Sequence, residues 1–175
     1  TPYTLPANQA VAYNKRLSYA RYLDTETGKK YVVLKEYDKP DSWTFLDDVQ
    51  PESMKVVSPY HKCLVSLYHA DFVEQSGTGF VHVAPSFGLD DFHLGEAHNL
   101  PTKSYVNEYG KYDSEDFPEL TGLDLKKATA FVVEKLNQEG LVFHHTLFNH
   151  EYPHCWRHKT SLFSKTSKEW FMDLS

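Results

Sequence analysis

The chain has 175 residues, 41% of them hydrophobic and 24% charged, which suits one globular domain with its own core and excludes extended disorder. Its net charge of −6 excludes a protein that binds by broad phosphate neutralisation, so any contact with nucleic acid must be local or helped by other domains. Apolar runs as short as "FVHVAP" and "CLVSLY" cannot span a bilayer, and residues 1–20 show no basic start followed by an apolar stretch; neither a membrane partner nor a signal peptide is expected.

Residues 1–8, "TPYTLPAN", are expected to be extended, because Pro2 and Pro6 disfavour helix at the residues before them. "QAVAY" alternates as a strand does. "SYARYLD" and "KYVVLKEY" flank "TETGK" and predict a hairpin with Gly28 at its turn. Residues 39–53 are read as a turn and a short helix bounded by prolines, "MKVVSPYH" and "KCLVSLYHADFV" as strands, and "GTGFVHVAP" as the central strand. A helix is predicted over 89–98, with Asp90 and Asp91 in its first turn, where carboxylates suit the partial positive charge of a helix N-terminus. A second is predicted from Leu125, with Ala128, Val132 and Leu136 on the same face and Gly140 as its stop. The segment after 140 is aromatic, histidine-rich and strand-like. The expected fold is α+β: a mixed, mainly antiparallel β-barrel with peripheral helices, forming a single domain over 1–175.

Four groups of residues could carry chemistry. "GTG" at 77–79 is first read as a tight turn, since neither GxGxxG nor GxxxxGK[ST] is present. Cys155 and His158 in "CWRH" have the spacing of half a tetrahedral zinc site, near His144, His145, His150 and His154; a second half is not visible, and no metal is expected. No GxSxG elbow or Cys–His signature points to a covalent mechanism. Finally, His82 on the strand and Asp91 at the helix start allow two readings. In one they are a strand residue and a helix N-cap; in the other, an anchor for an ammonium group and a wall of its pocket.

Three stretches, "TPYTLPAN", "GTGFVHVAPSFGLDD" and "YPHCWRHKT…EWF", occur in an order and spacing that resemble the editing insertion of class I isoleucyl-tRNA synthetases. Valyl synthetases resemble the chain in "GTG" and "SKxWF" but usually carry lysine where His82 stands; leucyl synthetases share the GTG and the aspartate but not the histidine. The chain departs from the pattern at Tyr3, where tryptophan is more usual, and at Phe87, where many bacterial members have histidine. The family's further threonines before Thr1 are missing, and so are HIGH and KMSKS, so the resemblance implies no amino-acid activation here.

What the resemblance implies is hydrolytic proofreading. It is established for this discrimination that one missing methylene is worth only about 1–3 kcal/mol, so a second site must remove misattached valine. Asp91 would pair with the α-ammonium, and His82 would line the side-chain pocket and reject isoleucine. Thr1 and Thr4 would present hydroxyls, Asn8 would support the same corner, and Gly77, Thr78 and Gly79 would let backbone approach the substrate. Water would attack, placed by threonine hydroxyls and a ribose hydroxyl of the substrate. The implied partners are the 3′ end of a valine-charged tRNA(Ile) and the remainder of the parent synthetase, with no cofactor, a cytoplasmic setting and a monomeric state. A valyl- or leucyl-type editing domain, or a ligand-binding fragment without activity, is the alternative. Trp156 and Trp170 are read as core residues in preference to base-stacking platforms.

Overall fold

The computed structural model describes residues 1–146 and 153–174; His150 of the histidine group lies outside the described residues. Two compact units emerge. One comprises Thr1–Ala7, Pro59–His61 and the described residues from Ala84 onward; the other comprises Asn8–Ser58 and Lys62–Val83.

The second unit holds the seven strands found among the described residues: β1 (Ala10–Tyr13), β2 (Tyr19–Asp24), β3 (Lys30–Leu34), β4 (Trp43–Val49), β5 (Val56–Val57), β6 (Leu64–His69) and β7 (Phe80–Val83). They form a four-stranded sheet of order β5-β6-β1-β7 and a three-stranded sheet of order β3-β2-β4. Only β1 and β6 pair in parallel; the other ladders are antiparallel. Alternation explains the packing. Tyr13 and Phe80 from the first sheet meet Tyr19, Leu34 and Val49 of the second in one core cluster, with the Tyr19 and Phe80 rings 4.8 Å apart. Ala10 and Ala12, both 0% exposed, are small enough to let β1 lie between β6 and β7. The hairpin forms as predicted, with Gly28 at φ 69°.

Two expectations for this unit are corrected. Residues 43–49 are a strand, not part of a helix: Trp43, Thr44, Phe45 and Val49 favour a pleated surface, and β2 offers an open edge. There Tyr22 pairs with Phe45 and Arg21 with Asp47, while the Trp43 ring stacks on Tyr31 at 4.5 Å. Only Pro51–Ser53 keep a 3₁₀ turn. β7 is also not central. It ends the first sheet, and its apolar character serves the core between the sheets.

The first unit holds a 3₁₀ helix over Pro2–Ala7 and two α-helices, α1 (Leu89–Ala97) and α2 (Leu125–Gln138). The N-terminal stretch is thus not extended. The fixed φ of proline suits a 3₁₀ turn, and the Thr4 amide closes it on the Thr1 carbonyl at 3.0 Å. α2 forms as read: the Asp124 side chain accepts from the Lys127 amide at 2.8 Å as N-cap. Ala128, Val132 and Leu136 are buried with Leu120 and Tyr112. The Tyr112 hydroxyl donates to the Tyr3 carbonyl, tying the 3₁₀ helix to this core. The described residues beyond 140 form no strand, only a bridge between His154 and Ser161. Trp156 is 77% exposed and Trp170 fully so, so neither is a core residue. No helix among the described residues is long and apolar enough to cross a membrane.

Gly79 is the most closely packed glycine of the second unit. Its φ is +77°, and a Cβ there would lie 2.5 Å from Leu34 and 2.9 Å from Tyr19. Gly77, at φ +54°, faces open space. Gly77→Ala is expected to cost about 1–2 kcal/mol for the left-handed backbone alone. Gly79→Ala should cost a further ~1–3 kcal/mol for overpacking. Urea unfolding of the two variants measures the difference, and equal midpoints would contradict this packing.

Candidate functional site

In the first unit Asp91 stands where the loop after β7 runs into α1. The chain leaves Val83 through "APSFG" into α1, and the Phe87 amide closes a turn on the Ala84 carbonyl at 2.9 Å. Gly88 is the N-cap of α1 and contributes no side-chain cap. Asp91 is therefore not the N-cap. It sits in the first turn of the helix, half-buried, and its Oδ2 accepts from the Ala84 amide at 2.9 Å. A Cβ on Gly88 would lie 3.2 Å from the Asp91 carboxyl carbon, and one on Gly95 would lie 2.9 Å from Pro85. These two glycines let the loop and helix close on each other. Ser86, 2% exposed, is held from the far side of the unit, its carbonyl accepting from the Thr166 amide at 2.9 Å.

The Asp91 carboxyl is raised above its ordinary range, chiefly by burial; the Ala84 amide opposes the rise and neighbouring Asp90 adds to it. Such a group is short of a positive partner. A cationic ligand would favour its ionised form. Asp90 is exposed. On the 3₁₀ helix, Thr1 is exposed and Thr4 is 5% exposed. The Thr4 hydroxyl donates to the Thr1 carbonyl at 2.8 Å, so its hydrogen secures the turn.

In the second unit the structure brings Asn8 and His82 together. The Asn8 side-chain amide lies 2.8 Å from the Ala10 carbonyl, 3.4 Å from the Val83 carbonyl and 2.9 Å from His82 Nδ1. Two carbonyls fix the amide's orientation, since the reverse would set its oxygen against theirs. The NH₂ group therefore faces His82 Nδ1, which accepts, and the ring proton sits on Nε2. Burial pushes the His82 imidazole down to about 4, so the ring is neutral at physiological pH. The Gly77–Gly79 turn has a packing role: the Thr78 carbonyl accepts from the Leu34 amide at 3.1 Å, and the Gly79 carbonyl accepts from the Tyr19 hydroxyl at 2.8 Å.

Cys155 Sγ lies 3.4 Å from His158 Nδ1, and His154 pairs with Ser161 at 3.2 Å. Among the described residues no group of three or more His, Cys, Asp or Glu is disposed to hold a metal ion. Sequence reading missed Gly88 and Ser86 in the loop and Gly95 inside α1, whose only visible signal was small size.

Because the folded-state value for His82 lies below the unfolded one near 6.5, its contribution to stability is complete above about pH 6.5 and is lost as pH falls towards 4. His82→Gln should flatten the fall in unfolding free energy over that window. Ring ¹⁵N shifts should report a neutral Nε2–H tautomer at pH 6; an imidazolium there would refute the assignment.

No protein-family model matches the chain. It is 34% identical over 187 residues to an isoleucine–tRNA ligase of Colwellia psychrerythraea, with 99% of this chain and 20% of that protein aligned. It is also 34% identical over 183 residues to one of Francisella tularensis subsp. novicida, with the same coverage. Against that of Erwinia tasmaniensis the identity is 32% over 187 residues. The chain thus spans about a fifth of the length of the curated relatives it matches. Among solved structures, the crystal structure of GlLeuRS-CP1 aligns with a TM-score of 0.60 and 11% identity, covering 83% of this chain and 80% of that one. The chain is thus similar along almost its whole length to one segment of isoleucine–tRNA ligases, and it shares the fold of GlLeuRS-CP1.

Proposed function

We propose that this chain is the editing domain of an isoleucine–tRNA ligase and hydrolyses the ester between misattached valine and the 3′ end of tRNA(Ile). The observation that carries this reading is the alignment of 99% of the chain with isoleucine–tRNA ligases; the shared fold with GlLeuRS-CP1 supports it. Its partners are then a valine-charged tRNA and the rest of the parent enzyme, and all 175 residues act as one domain and as a monomer, in the cytoplasm.

In this reading Asp91 anchors the α-ammonium of the misattached amino acid. It is half-buried, raised by that burial and backed by one amide, so an arriving ammonium would form a strong charge-assisted contact. His82 lines the side-chain pocket. A neutral ring held by Asn8 is a fixed wall, suited to excluding the extra methylene of isoleucine by bulk. Thr1 offers a hydroxyl near the reacting ester, and Thr4 positions Thr1 through its bond to the Thr1 carbonyl. Gly77, Thr78 and Gly79 shape the backbone beside β7. Water attacks the ester carbon, the bond to the ribose oxygen breaks, and that oxygen leaves with a proton. No side chain in this scheme needs to become a nucleophile, in line with the absence of a nucleophile signature in the sequence.

Deacylation of Val-tRNA(Ile) and Ile-tRNA(Ile) tests the proposal. Wild-type chain should release valine and spare isoleucine. Asp91→Ala should lower kcat/KM for the valyl ester about 30-fold or more, since truncating one partner of a buried charged pair costs ~2 kcal/mol or above. His82→Ala should begin to release isoleucine. Wild-type clearance by Asp91→Ala would remove it as anchor.

A further inference from the structure

The 3₁₀ helix Pro2–Ala7 contains Pro6, and that proline leaves a gap in its bonding. A 3₁₀ carbonyl accepts from the amide three residues on. For Tyr3 that residue is Pro6, which has no N–H to give. A backbone carbonyl facing the core without a donor costs free energy comparable to a lost hydrogen bond. The Tyr112 hydroxyl supplies a donor, reaching the Tyr3 carbonyl across 109 residues of sequence.

Tyr112 is itself held on all sides. It is 1% exposed and lies in the core with Leu120, Ala128 and Val132. Its amide donates to the Leu123 carbonyl at 2.9 Å, and its carbonyl accepts from the Gly122 amide at 2.8 Å. Residue 112 also forms a bridge with Val106. Burial pushes the phenol above its ordinary range, and the nearby Tyr3 and Tyr105 phenols add to the rise. The oxygen therefore keeps its hydrogen and donates it. The anchoring is passed along the turn. The Tyr3 carbonyl and the Thr4 amide belong to one planar peptide unit, so an anchored oxygen sets the direction of the Thr4 N–H. That N–H donates to the Thr1 carbonyl at 3.0 Å, and the Thr4 hydroxyl donates to the same oxygen at 2.8 Å. Thr1 is thereby gripped twice.

From this chain of bonds we infer that Tyr112 is a positioning residue for Thr1, fixing the threonine turn at the point where Pro6 interrupts it. The inference rests on the reading of Thr1 as the hydroxyl near the reacting ester. Buried as it is, Tyr112 acts through Tyr3 and Thr4 and not by contact with the ester. A residue with an N–H at position 6 would let the turn satisfy the Tyr3 carbonyl locally. Proline hands that carbonyl to the core instead, so the core sets the plane of the peptide between Tyr3 and Thr4.

Tyr112→Phe keeps the ring and removes the hydroxyl. With Val-tRNA(Ile) it should lower kcat about 10- to 100-fold, the scale of a misplacement near 1 Å, and leave KM unchanged. Val132→Ala loosens the same core without touching the bond, and should leave kcat nearly unchanged. Rates are compared at a temperature where circular dichroism shows each variant folded. A double-mutant cycle with Pro6 tests the origin of the loss. Pro6→Ala returns an N–H to the turn, so Tyr112→Phe should cost far less in that background than in wild type. The bond is also read without activity. The pair Tyr-Thr occurs once in the sequence, at residues 3–4, so ¹³C-carbonyl tyrosine combined with ¹⁵N-threonine gives a single HNCO peak. Tyr112→Phe should move its carbonyl shift upfield. An undiminished kcat in Tyr112→Phe, an equal fall in Val132→Ala, an equal cost in both Pro6 backgrounds or an unmoved carbonyl signal would each overturn the inference. A wild-type chain that releases no valine would sink the editing reading, while a moved carbonyl signal would still support the tie between Tyr112 and the threonine turn.

Discussion

The second unit depends on one buried amide. Asn8 enters β1 with its NH₂ group facing three acceptors: two carbonyls, on β1 and β7, and a histidine nitrogen on β7. A buried polar group left unmet would cost free energy comparable to a lost hydrogen bond, so β1 and β7 cannot slip in register without exposing that cost. The register that satisfies the Asn8 NH₂ group pairs Val11 with His82 and Ala12 with Val81. The same amide then decides which His82 nitrogen bears the proton. An alanine at position 8 would have no donor for these acceptors and could not orient the ring.

The corner built on Asp91 obeys a different constraint, that of space. A carboxylate in the first turn of a helix ordinarily faces water and gains from the helix N-terminus. Here it reaches back to the Ala84 amide, and this is possible because Gly88 leaves room beside it and Gly95 lets α1 settle on Pro85. Burial and the amide then act in opposite directions on its proton affinity, and burial prevails. A group in that balance responds strongly to a cation, because the cation adds to the weaker side.

Local pattern made much of this legible in the sequence. The β2–β3 hairpin follows from Gly28 between alternating strands, and α2 from Ala128, Val132 and Leu136 with Asp124 at its start. Residues 43–49 were misread because the pull on Trp43 and Phe45 comes from Tyr31 and Tyr22, distant in sequence and invisible to local periodicity. β7 was misread as central because an apolar run cannot reveal which of its edges is paired. The candidate site was divided in the same way. His82 and Asp91 stood out by residue type and by family resemblance. Their partners, a backbone amide for Asp91 and the orientation of Asn8 for His82, arise only from folding.

Charge is distributed here by role. His82 is kept neutral by burial, which the steric wall proposed above would require: an imidazolium would attract water and blur the pocket's size limit. Asp91 keeps a hydrogen bond from a backbone amide, which suits an anchor, since an amide supports the ionised carboxylate without competing as a cation would. A lysine or arginine in the place of that amide would pair with the carboxylate and leave it nothing to offer an incoming ammonium. Other carboxylates do meet cations: Asp47 pairs with Arg21, Asp116 with Lys103 and Asp124 with Lys127. The editing role proposed above would then have such an acidic chain act on a strand delivered by the rest of the enzyme, which is consistent with a segment that makes up about a fifth of its relatives' length.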